Sequence, residues 1–333
     1  MITVVFFVEN DRGFCRMKQK KKAFQVLAMQ IRTPKLNLIS RDLEINRFDL
    51  DNVEEFFRFI VALPHDLRNQ DLGERFIFLE KFDDDYNNNY YSGWFISARY
   101  GEIPDWIDAH TAVRRPSGKY RSEGEENRTY FVLEKTTGLF LLQSDNKRIA
   151  TGSTVDDYFN SKKDGFEPSI DKYNKRNQGR ILINKDVFIQ FDYSISTAFM
   201  EEVRRLSRIK KTTFQADVIS SGGNNVVEAI SKTLEGVENY DSVEYSVIIK
   251  ERGRGIRQIE KFIDTLQEQH QFRNVIVAGT TSLGRPKVIS WEKHARRYEI
   301  NVDINVNGLP GQDDVINKLI ELARKENPLG RKK

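Results

Sequence analysis

The chain has little cysteine, histidine or proline. Of 333 residues only Cys15 is a cysteine, so no intramolecular disulfide can form, and a cytoplasmic, reducing location is expected. The four histidines, His65, His110, His270 and His294, are far apart in sequence and none lies near Cys15. A zinc site needs about four His, Cys or carboxylate ligands at short spacing, so none is predicted. No apolar run approaches the roughly 18–20 residues that span a bilayer. The short apolar run near Met1 has no basic region before it, so no signal peptide is expected. The G-x-S-x-G elbow, the H-E-x-x-H helix and the GxxxxGK[ST] phosphate loop are all missing. Neither sign of charge dominates: 53 Lys and Arg face 49 Asp and Glu, a net +4 that identifies no partner. Together these absences exclude a membrane channel, a secreted disulfide scaffold and a fibrous repeat.

What is present is enough apolar surface to build cores: 39% of residues, with 22 phenylalanines. Charge is unevenly divided. Residues 1–165 carry 25 basic and 26 acidic side chains, and residues 166–333 the remaining 28 and 23. The polar stretch 161–180 contains Gly165, Pro168 and Gly179 and reads as a linker or long loop. The expectation is an α+β protein of two lobes, strand-rich over 1–160 and basic α/β over 181–333. In the first lobe, strands are predicted near 3–8, 75–82 and 92–100, with a hairpin over 128–144. A helix over 51–63 has Asp51 or Asn52 as cap, Phe56, Phe59, Ile60 and Leu63 on one face, and Pro64 as stop. Residues 86–93 and 114–127 read as exposed loops. In the second lobe, helical spacing covers 194–209, 224–236, 256–269 and 312–326, between strands at 181–193, 212–220, 243–250, 273–279 and 296–308. The closing β-α-β-β-α order suits a small sheet with two helices on one face.

The basic residues of the second half are the most informative set. Arg204, Arg205, Arg208, Lys210 and Lys211 fall within eight residues. KERGRGIR at 250–257 adds Lys250, Arg252, Arg254 and Arg257 where a strand gives way to a predicted helix, whose free N–H groups favour anions. Arg285, Lys287, Lys293, Arg296 and Arg297 follow. Gathered on one face, they would contact nucleic-acid phosphates. Scattered, they are solvated charges, and Glu201, Glu202, Glu251 and Glu292 nearby suit that plainer reading. Lys18, Lys20, Lys21 and Lys22 read as a solvated turn. Tyr86, Tyr90 and Tyr91 could stack on unpaired bases, although a polar loop explains them as well. The run Asp83, Asp84, Asp85 suits a solvated loop better than a cation site. Asp186 and Asp192, which flank VFIQF, faintly resemble the carboxylates of a metal-dependent nuclease, but no lysine stands at the usual spacing beyond them. No catalytic residue, metal ligand or cofactor is assigned.

The segment 130–159, YFVLEKTTGLFLLQSDNKRIATGSTVDDYF, resembles RexA-like phage exclusion proteins in pattern and order. So does the block 240–266, YDSVEYSVIIKERGRGIRQIEKFIDTL, with the strand pair and last helix that follow it. A related likeness is to KwaB, the DNA-binding component of Kiwa defence systems. The resemblance implies a DNA-binding homodimer with a mobile second lobe, acting against phage beside a membrane-protein partner. It brings no catalytic residue; the basic turn at 250–257 is the one local feature carried over. The loops at 83–91 and 101–127 are longer here than in that family, which bears on partner contacts. The expectation is therefore a non-enzymatic protein that grips the DNA backbone with little sequence selectivity. A metal-dependent nuclease and an RNA-binding or protein-docking module are the alternatives.

Overall fold

The protein is described by a computed structural model over residues 20–37, 43–44, 48–176, 181–183, 188–193, 197–217, 244–250, 256, 274–291, 295, 297–305, 307–326 and 328–329. The chain opens with β1 (Lys20–Arg32), β2 (Lys35–Asn37), β3 (Leu43–Glu44), α1 (Leu50–Ala62), α2 (His65–Arg68), β4 (Gln70–Asp71), β5 (Arg75–Asn87) and β6 (Tyr90–Arg99). It continues through β7 (Trp106–Ile107), β8 (Arg114–Arg115), β9 (Asn127–Glu134), β10 (Leu139–Gln143), α3 (Gly152–Arg176), β11 (Ile181–Ile183), β12 (Gln190–Tyr193) and α4 (Thr197–Arg204). It closes with β13 (Leu206–Asp217), β14 (Glu244–Lys250), β15 (Asn274–Thr281), β16 (Pro286–Ser290), β17 (Arg297–Ile304) and α5 (Gln312–Glu326). The class is α+β, as the alternation of sequence patterns predicts. The predicted strand at 3–8 and the helices at 224–236 and 256–269 lie outside the described residues, apart from Ile256.

The largest sheet runs β12-β1-β10-β9-β6-β5-β4, with β17 also paired to β1, and every pairing is antiparallel. Strand β1 sits between two cores. Leu27, Met29 and Ile31 face one, while Phe24, Val26 and Ala28 face the other. That double burial explains why the strand is apolar at successive positions rather than alternating. On the first face α1 and α3 pack a phenylalanine cluster in which Phe57 stacks on Phe159 at 4.6 Å and Phe131 on Phe140 at 4.9 Å. On the other face α5 buries Val315, Ile316, Leu319 and Ile320. Helix α1 is capped two or three residues earlier than expected: the Asp49 carboxylate accepts the Asn52 N–H at 3.1 Å.

Three expectations need correction. The stretch 161–180 is no loop through Arg176, because α3 occupies it. Val155, Tyr158, Phe159, Phe166 and Ile170 are all buried, and that stripe holds the helix together despite Gly165 and Pro168. The helix predicted over 194–209 ends at Arg204, and Leu206 begins a strand. The closing β-α-β-β-α unit does not share one sheet. Strands β14, β15 and β16 join β13 in a four-stranded sheet, whereas β17 pairs with β1 and α5 packs on the large sheet.

The misread helix has a definite cause. Strand β13 shifts register twice against β15, between Leu206 and Arg208 and between Ile209 and Lys211. Each shift inserts one extra residue. Leu206, Ile209 and Thr212 thus fall on one face at a spacing of three, which imitates helical periodicity. That face packs under α4 with Phe199, Val203, Phe214, Val275, Val277 and Ile289.

Candidate nucleic-acid interface

The four-stranded sheet runs β14-β13-β15-β16, all antiparallel. Residues directly opposite one another share a face. Thr212, Val277, Ile289 and Ile249 are register partners and define the face under α4. Lys211, Lys250, Ala278 and Val288 form the next row and belong to the opposite face, together with Arg208 opposite Thr280. This second face is open to solvent: Val288 is 65% exposed and Ile248 46%.

The charge on the sheet has a direction. The β13–β14 ladder begins with Lys211 opposite Lys250 and ends with Asp217 opposite Glu244. Two like charges at directly opposed positions oppose sheet formation. Neither lysine has a carboxylate within ion-pair distance among the described residues. Lys210, in the second bulge, is exposed beside them. Arg204 and Arg205 are exposed at the C-terminal end of α4, which leads directly into β13. The β15–β16 turn brings Arg285 to the same end of the sheet, where Thr281 N–H donates to the Arg285 carbonyl at 2.9 Å. The chain that leaves β14 at Lys250 returns at Ile256, whose N–H donates to the Ile209 carbonyl at 2.9 Å. Lys250 and Ile256 are thereby both tied to the 209–211 stretch of β13.

Eight of the sequence-predicted cations therefore belong to this sheet, its helix or its turn: Arg204, Arg205, Arg208, Lys210, Lys211, Lys250, Arg285 and Lys287. Two of them are neutralised by one carboxylate. Glu202 pairs with Arg205 at 2.6 Å and also with Lys287. The Lys287 hydrogen bond, with Arg205 adding to it, holds the Glu202 carboxyl below its ordinary range. Arg297 does not join the group: it lies on β17, opposite Leu27 in the large sheet. Arg252, Arg254, Arg257, Lys293 and Arg296 lie outside the described residues.

Other sequence candidates resolve differently. Tyr90 and Tyr91 are buried in β6, and only Tyr86 of the three is partly open, so they form no stacking loop. Lys20, Lys21 and Lys22 are in β1 opposite Ile304, Asp303 and Val302, not in a turn. Asp84 is engaged by Arg58, and Asp83 lies 3.3 Å from Lys81. Asp192 is ion-paired with Arg32 at 2.5 Å with both side chains mostly buried, so a divalent cation there would have to displace an arginine. Asp186 and Cys15 lie outside the described residues. Among the described residues no group of three or more His, Cys, Asp or Glu is placed to hold a metal ion, and no helix is long and apolar enough to cross a membrane. Sequence reading missed the Lys211–Lys250 pairing. Its available signal was the strict alternation of TTFQAD after RIKK, which marks a strand running back into the basic stretch.

The chain matches no protein-family model and no curated protein.

Proposed function

We propose that this protein binds nucleic acid through its phosphates, using the open face and the basic end of the four-stranded sheet. The observation that carries the reading is the cross-strand pair Lys211 and Lys250, like charges held side by side with Arg208 on the same face. Such an arrangement opposes folding by itself and is relieved when an anion settles between the cations. Among the described residues this face carries no aromatic side chain: its strands contribute Arg208, Lys211, Thr213, Gln215 and Asp217, then Lys250, Ile248, Ser246 and Glu244, then Asn274, Ile276, Ala278 and Thr280, then Pro286, Val288 and Ser290. Base stacking is thus not its means of contact, and little sequence selectivity is expected. The likeness to RexA-like phage exclusion proteins supports duplex DNA as the ligand, a homodimer as the working form, and a defence setting with a membrane-protein partner.

The test is a binding titration of the full chain against duplex DNA, single-stranded DNA and RNA over a range of salt. Affinity for unrelated duplexes should be equal, and log K should fall with log salt at about −0.9 per phosphate neutralised. Affinity that is insensitive to salt, or no binding to any of the three, removes the assignment.

A further inference from the structure

A second feature lies far from that sheet in sequence and is built just as deliberately. Residues 101–126 leave the end of β6, form the small β7–β8 hairpin and return to β9. This excursion is pinned down at several points. Gly101 N–H donates to the Arg121 carbonyl at 2.8 Å, and the Arg121 guanidinium donates back to the Gly101 carbonyl at 3.1 Å. Trp106 Nε1 donates to the Ser117 carbonyl at 3.3 Å, and Lys119 Nζ to the Glu102 carbonyl at 3.2 Å. Gly124 closes the loop against the sheet so tightly that a Cβ would sit 2.6 Å from both the Ala98 Cβ and the Arg99 carbonyl oxygen. Between the excursion, the β5–β6 end and the turn at 146–148 is a cleft of about 1160 Å³.

The lining of this cleft combines three chemistries. Arg75 and Arg99 are direct cross-strand partners on the edge of the cleft, a second like-charge pair in the same protein. Arg148 joins them from a backbone at φ +54°, a left-handed conformation that costs energy in a non-glycine residue and is typical of functional loops. None of these three arginines has an ion-pair partner among the described residues. Trp106 is 54% exposed, and because its N–H is already committed its ring faces are what it offers. Glu74 and Glu102 also line the cleft, outside any ion pair among the described residues, as do Lys119, Glu123 and the ion-paired Glu125 and Lys147, with Glu123 accepting the Tyr120 N–H at 2.9 Å.

From this combination we infer that the cleft is a nucleotide-binding site. Guanidinium forks match phosphate oxygens two at a time. An exposed indole face accepts a base by stacking. Carboxylates accept hydrogen bonds from ribose hydroxyls and from exocyclic base amines, which a simple inorganic anion does not offer. The cleft exceeds the roughly 300–1000 Å³ of ordinary small-ligand sites and has room for a mononucleotide with water or for a dinucleotide. The same chemistry is carried by a free nucleotide and by a nucleotide within a strand. The site does not depend on the basic sheet.

The experiment is calorimetric titration of the full chain with ATP, GTP, adenosine, pyrophosphate and a short single-stranded oligonucleotide. ATP or GTP should saturate one site per chain; the oligonucleotide is titrated into the Lys211→Glu, Lys250→Glu chain so that only the cleft is read, and whichever binds more tightly identifies the source. Adenosine and pyrophosphate, each satisfying half of the lining, should bind at least about tenfold more weakly. Arg99→Ala and Trp106→Ala should each weaken nucleotide binding at least about tenfold. Arg148→Ala, a change in a turn, provides a variant that leaves both strands intact and should do the same. Lys211→Glu should leave ATP and GTP binding unchanged while weakening duplex binding at the sheet, which separates failure here from failure of the sheet surface. Absence of saturation by every nucleotide and by the oligonucleotide at millimolar concentration overturns the inference. Pyrophosphate binding as tightly as ATP, or full binding by all three variants, overturns it equally.

Discussion

Replacing Lys211 by glutamate separates the functional meaning of the basic sheet from a structural one, because the two predict opposite signs. Lys211 stands opposite Lys250 on a solvent-open face. Converting Lys–Lys to Glu–Lys removes a repulsion and adds an attraction, worth about 0.5–1 kcal/mol together for an exposed cross-strand pair. The local opening of β13 and β14 should become rarer by about two- to fivefold, read as slower amide hydrogen exchange in peptides from these strands. Binding should move the other way. One phosphate contact contributes a slope near 0.9, so at 0.1 M salt its loss costs about eightfold in affinity. The salt slope should fall by the same 0.9 or so. The double change Lys211→Glu with Lys250→Glu restores like charges, now negative. Exchange should return to the wild-type rate while affinity falls by about sixtyfold or more. A Lys211→Glu protein that is more protected and binds DNA with unchanged affinity and slope would refute the reasoning, since the pair would then have no ligand to serve.

Two further outcomes follow from the cores. Tyr158 is fully buried; its hydroxyl accepts the Leu79 N–H at 3.0 Å and donates to the Arg68 carbonyl at 3.0 Å. Tyr158→Phe leaves both backbone groups unmatched and should cost about 1–3 kcal/mol, read as a lower urea midpoint. Asp49 caps α1 and pairs with Lys35, which also donates to the Tyr173 hydroxyl at 2.9 Å. Burial pushes the Asp49 carboxyl up, but the hydrogen bonds from Lys35 and from the Asn52 N–H more than offset it and hold it below the ordinary 3.8. A depressed folded value means that the stabilisation is present above the unfolded value and is lost as pH falls through the folded one. The melting temperature of Asp49→Asn should therefore lie furthest below wild type near neutral pH, with the gap closing below about pH 4.

The readable parts of this fold are those where one period governs a whole element. Helix α1 and helix α5 show clean amphipathic spacing, and both form within a residue or two of expectation. The 128–144 hairpin forms around Gly138 at φ +72°, a conformation glycine adopts without strain. Pattern and structure part where two signals compete. In α3 the breakers Gly165 and Pro168 hid a buried stripe that is only partly apolar, because much of the helix faces solvent. In β13 two bulges converted a strand into apparent helical spacing. For the basic surface, the sequence identified the cations but not their partners. Pairing of Lys211 with Lys250 depends on a strand register across more than thirty intervening residues, and the loss of Arg205 and Lys287 to Glu202 depends on where α4 docks. In 86–93 three asparagines mask a strand that buries Tyr90 and Tyr91.

The course of the last forty residues bears on how the basic sheet can be studied. Trp291 closes the core under α4, Ala295 belongs to the phenylalanine core of the large sheet, and β17 then pairs with β1 through Lys20 to Leu27. Strand β17 and α5 therefore complete the first half of the protein, although they come from the end of the second. Without them Phe24, Val26, Ala28, Val132, Leu139 and Leu141 would lose the apolar cover that Val315, Ile316, Leu319 and Ile320 supply. A fragment cut near residue 181 would carry an apolar strand and an amphipathic helix torn from their sheet, and would expose the matching face on the piece left behind. Weak binding by such a fragment would then report lost folding rather than lost phosphate contacts. Charge changes within the intact chain are the sound way to interrogate Arg204, Lys210, Lys211, Lys250 and Arg285, because each is exposed or partly exposed and none belongs to any of the three cores.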